Sequence, residues 1–82
     1  MSNEVVFTCR IPEKHRNVFE NYVMIQVMAA QADAVITTRN PTNNKKIATS
    51  TITVTGASTM LIERARSRIS GRAIELSKIE GG

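Results

Sequence analysis

The chain is expected to fold as an α+β domain of two layers, a three-stranded antiparallel sheet with helices packed on one face. Two runs of period two and one long run of helical period carry that expectation. From Glu4 to Ile11, Val5, Phe7, Cys9 and Ile11 alternate with Val6, Thr8 and Arg10, the pattern of a half-buried strand. From Thr49 onward, Ile52 and Val54 alternate with Thr51, Thr53 and Thr55, and Gly56 ends the run. Beyond Leu61 the apolar spacing changes to that of an amphipathic helix.

Taken in order, the first strand covers 4–11 and is closed by Pro12, which suits the first turn of a helix. Glu13 follows, and its charge favours the positive end of the helix dipole. Helical patterning then runs to about Gln31 with a break expected near Glu20 and Asn21, which gives two helices. In the second of them Ile25, Met28, Ala29 and Ala32 form the expected core stripe. With Ile25 inward, Val23, Val27 and Ala30 fall near the opposite face and Met24 lies beside them. Apolar side chains grouped on an outer helix face make these four a candidate protein interface.

A second strand is expected over 34–39 with Ile36 inward, and Asn40 to Lys46, NPTNNKK, reads as a loop. The third strand covers 48–55. The last helix covers 58–78, starts at the hydroxyl-rich Ala57-Ser58-Thr59 and buries Leu61, Ile62, Ala65, Ile69, Ala73 and Leu76. Gly71 should weaken its later turns, and 79–82 reads as a tail or linker. A diglycine end also occurs in ubiquitin-like modifiers, but there it follows a strand, not a helix. The order is β-α-α-β-β-α.

Eighty-two residues make a single domain, 1–82, with a small core. A lone cysteine, Cys9, forms no internal disulfide, in keeping with a reducing compartment. The start, MSNEVV, lacks the basic and apolar regions of a signal peptide, and no apolar run approaches a membrane span of about 20 residues. A cytoplasmic location with no membrane partner is therefore expected. The net charge of +4 permits a polyanion partner without requiring one.

The strand-Thr-Gly-helix passage from Thr49 to Ile69 resembles the closing strand and last helix of a KH domain, an RNA-binding module. Within that superfamily the chain is most similar to the Bicaudal-C family of mRNA regulators. The matching features are Lys14-His15-Arg16 in the first helix, the Val27-Met28 pair, Ile36 in the second strand, the loop bearing Asn40, and Glu63-Arg64-Ala65-Arg66 in the last helix. The likeness spans about residues 5–75 and implies a KH-like type I fold.

A KH domain clamps about four nucleotides with a GXXG loop between its first two helices. Glycine is needed there so that backbone can approach the nucleic acid. The corresponding stretch here contains Phe19, Glu20, Asn21 and Tyr22 and no glycine. The resemblance thus implies a degenerate loop, with a carboxylate where phosphates would lie. A non-enzymatic module for protein contact or homodimerisation in post-transcriptional regulation follows as the first expectation. The alternative is direct, weak single-stranded RNA binding through Arg39, Lys45 and Lys46, which border the nucleotide groove in the family.

Arg64, Arg68 and Arg72 form a stripe at i, i+4, i+8, most simply a solvated face. His15 and Cys9 lack a converging acid for nucleophilic catalysis. One His and one Cys also fall short of the four ligands usual at zinc. No catalytic residue, cofactor or metal is expected.

Overall fold

The computed structural model describes residues 3–81, with side chains through 79. Strand β1 (Asn3–Pro12) leads through a single 3-10 turn (Glu13–His15) into helix α1 (Arg16–Ala29). Strands β2 (Asp33–Arg39) and β3 (Ile47–Gly56) follow, and helix α2 (Thr59–Gly81) closes the domain. The sheet is antiparallel in the order β1-β3-β2. Both helices lie on one face, α2 mainly over β1 and α1 against α2 and β2.

The expected α+β architecture with three antiparallel strands is present, but the order is β-α-β-β-α. The two helices expected between the first strands are one, because nothing interrupts α1 at Glu20 and Asn21. The carboxylate of Glu20 has a partner on the sheet, the hydroxyl of Thr38. The polar pair is therefore no helix breaker.

The phase of α1 is also the reverse of the expected one. Phe19, Val23 and Val27 are the buried residues of α1, and Ala30 just beyond it is buried too. Ile25 and Met28 are 52% and 72% exposed, and Ala29 is exposed as well. Both phases are apolar, so helical period alone does not choose between them. What decides is fit to the sheet, where Val5, Phe7, Ile52, Val54, Ala34 and Ile36 supply the facing surface. That surface takes Phe19, Val23 and Val27, each about one turn after the last, and of the expected stripe only Ala32, beyond the helix, packs against the core.

The inner face of the sheet is set by register. Val5, Val54 and Ala34 form one cross-strand row, Phe7, Ile52 and Ile36 the next, then Cys9, Ser50 and Thr38. The core continues through Ile62, Ile69, Ala73 and Leu76 of α2, the side expected from its period, while Leu61 is only half-buried. Ser58 Oγ accepts from Leu61 N–H at 3.4 Å and caps α2. Helix α2 runs unbroken past Gly71 and through Ile79–Gly81, where a tail was expected, while Gly82 lies outside the described residues.

At the end of α1, Gln31 adopts a left-handed φ of 53°. Its N–H donates to Met28 C=O and that of Ala32 to Val27 C=O, both at 3.0 Å, the Schellman arrangement that reverses the chain into β2. A Cβ on Gly56 would come within 3.1 Å of Ala32 Cβ, so the end of β3 can lie this close to the turn because it carries no side chain.

Candidate functional site

The stretch expected to form a degenerate loop, 19–22, is instead mid-helix. Phe19 is fully buried in the core and Glu20 accepts the Thr38 hydroxyl at 2.8 Å. Asn21 is exposed, and the half-buried Tyr22 ring lies 5.8 Å from the Arg72 guanidinium, within cation–π range. Arg72 also pairs with Glu75, so it is not simply a member of a solvated arginine stripe. Backbone amides in this segment belong to the helical ladder, which leaves them no freedom to cradle a phosphate.

Of the four candidate interface residues, Val23, Val27 and Ala30 are core and Met24 alone is exposed. This corrects their assignment to an outer surface. The outer face of α1 instead presents Val18, Ile25 and Met28, with Met24 at its margin, all exposed. Their spacing is present in the sequence, in the phase opposite to the expected one.

Arg39, Lys45 and Lys46 are exposed at the end of β2 and in the 40–46 loop. The loop is tied by Asn44, whose N–H donates to Pro41 C=O and whose Oδ1 accepts from Lys46 N–H, both at 3.1 Å. Lys46 C=O accepts from Glu13 N–H at 2.7 Å and anchors the loop to the turn before α1. The two lysines thus project from a braced segment beside the end of the sheet.

Cys9 is buried, and burial pushes its thiol above the ordinary value, an effect partly opposed by the Arg66 guanidinium. A thiol held protonated is a poor nucleophile. It lies at the wall of an open cleft of about 710 Å³ between β1 and α2, together with Arg10, Ala73, Ile74 and Lys78. No acid or base from this cleft meets Cys9 in a nucleophile–base pair among the described residues. No helix of the described residues is long and apolar enough to cross a membrane.

The face of the sheet away from the helices has an order that only register shows. Its rows are Glu4-Thr55-Asp33, Val6-Thr53-Val35, Thr8-Thr51-Thr37 and Arg10-Thr49-Arg39. On the two outer strands all eight of these side chains are exposed. Acidic groups occupy one end and basic groups the other, with valine and threonine between them.

Fold and surfaces together define a small α+β domain with one bare sheet face and an apolar outer helix face. No family model matches the chain, and no curated protein matches it. Among solved structures the chain is similar to the de novo designed protein Foldit4, with a TM-score of 0.71 at 20% identity over 93% of this chain and 87% of that one. That likeness concerns the fold alone.

Proposed function

We propose that the chain is a degenerate KH-like module of a Bicaudal-C-like cytoplasmic regulator of mRNA translation or stability. It is non-catalytic and works through protein contacts, self-association included. The protein-contact part of this reading is supported by the unbroken course of α1 through 19–23, which replaces the two helices of a KH type I domain and buries Phe19 and Val23 where the resemblance would place an RNA clamp. A segment whose amides are all held in a helical ladder has no free backbone with which to cradle a phosphate. Protein contact is supported by the exposed Val18, Ile25 and Met28, since each side chain buried against a partner contributes about 1.5–3 kcal/mol before association costs.

The second reading, direct weak RNA binding, is favoured by the exposed cluster of Arg39, Lys45 and Lys46 beside the sheet. Titration of a labelled single-stranded RNA, followed by fluorescence anisotropy at low and moderate salt, measures the strength and selectivity of any RNA binding, and sedimentation of the same preparation tests for protein contact. The expected result is weak binding that falls steeply with salt and is lost in the Lys45→Ala, Lys46→Ala double variant. Tight, sequence-selective binding that survives both changes would overturn the protein-contact reading.

A further inference from the structure

We propose that the bare sheet face is a homodimer surface, on which a second copy of this chain packs face to face with its strands reversed. This rests on the protein-contact reading above and names the partner as the chain itself. The argument is the segregation of charge. Arg10 and Arg39 flank Thr49, and Glu4 and Asp33 flank Thr55. Strands lie about 4.8 Å apart, which places each like-charged pair on the order of 10 Å apart across the central strand. Like charges so placed repel one another weakly at low salt, where screening is least, and none of the four takes part in an ion pair among the described residues.

A second copy relieves both repulsions at once. Rotation about a two-fold axis in the plane of the face and across the strands exchanges the first row with the fourth and the second with the third. Glu4 then lies over Arg10 of the other copy and Asp33 over Arg39, and each contact occurs twice, as an isologous interface requires. The valine row lies over the threonine row, whose methyl groups offer it apolar contact. Packing with strands in the same direction would set acid over acid and is excluded, so the charges select one orientation.

The chemistry of the face also disfavours a nucleic acid. It carries no aromatic side chain on which a base could stack, and its acidic row repels phosphate. In size, three strands and four rows outline a face of roughly 400 Å² per copy. The pair would then bury less than about 1,200 Å², which defines a transient dimer rather than an obligate one.

Sedimentation of the whole chain from about 10 µM to about 1 mM at low salt tests this, because an interface so small needs high concentration to fill. The wild type is expected to dimerise with concentration. The Arg10→Glu, Arg39→Glu variant and the Glu4→Lys, Asp33→Lys variant should each self-associate at least about tenfold more weakly. Mixed together they should pair again, since every opposed end is then oppositely charged. All four positions are exposed, and circular dichroism confirms that each variant is folded; Val35→Lys, in the middle of the face, is the substitute if one is not. A wild type that stays monomeric, a dimer indifferent to both reversals, or a mixture that fails to pair would each overturn the proposal. If Ile25→Glu with Met28→Glu abolishes a dimer that the reversals leave intact, the sheet pairing fails and the protein-contact reading stands. That reading falls separately, by the RNA titration.

Discussion

The hydroxyl of Thr38 donates to Glu20 Oε1 at 2.8 Å and joins β2 to the middle of α1. This bond accounts for a polar side chain halfway along a packed helix. A hydrogen bond to an ionised group contributes about 1.5–3 kcal/mol when shielded and less when partly open to water. Thr38→Val is therefore expected to cost about 1 kcal/mol, and Glu20→Gln less, since an amide oxygen still accepts. Urea denaturation of the two variants measures both, and an effect of Glu20→Gln larger than that of Thr38→Val would contradict the assignment.

Val23→Glu and Val27→Glu should each cost several kcal/mol and unfold a domain of this size, because each would bury an unpaired carboxylate in the core. Ile25→Glu, one turn face away, should change stability by no more than about 0.5 kcal/mol. Circular dichroism melts of the three variants decide the phase of α1.

Ser50 is fully buried and its Oγ has no hydrogen-bond partner. It sits between Cys9 and Thr38 on the inner face, in the most polar of the cross-strand rows beneath the helices. Removing a buried, unpaired hydroxyl relieves a desolvation cost, so Ser50→Ala should stabilise the domain by about 1 kcal/mol. A loss of stability on this change would show that the hydroxyl is satisfied in solution.

Gln31 holds a left-handed conformation that side chains resist. Gln31→Gly should raise stability by about 0.5–1 kcal/mol, since glycine adopts this angle without steric cost. A rise in melting temperature checks it.

Burial holds the folded Cys9 thiol protonated beyond its ordinary value of 9.0. The unfolded chain therefore releases this proton first as pH rises. The contribution is complete below 9.0 and is lost as pH climbs through the folded value. Wild type should lose more stability than Cys9→Ala between about pH 8 and pH 10.5. Urea denaturation of both chains at the two pH values gives the difference, and equal losses would refute it.

Strands were legible because Val5, Phe7, Cys9 and Ile11 in β1 and Ile52 and Val54 in β3 recur at every second position, and a half-buried sheet leaves few other ways to arrange such a run. Helix α1 was harder, since Val18, Phe19, Tyr22, Val23, Met24, Ile25, Val27 and Met28 are apolar nearly all round the axis. Only contact with the sheet separates Val23 from Ile25. The polarity of the bare face was hidden for another reason. Glu4, Arg10, Asp33 and Arg39 are scattered single charges along the chain and become rows only when two registers are known.

The strand that pairs with both others is the last of the three to be made. Until Ile47–Gly56 has left the ribosome, β1 and β2 have no neighbour to hydrogen-bond. Nascent chains ending before residue 47 should thus carry no sheet at all, and folding must wait for contacts between distant parts of the chain. The domain then gains its structure in one late step, after more than half of it has been synthesised.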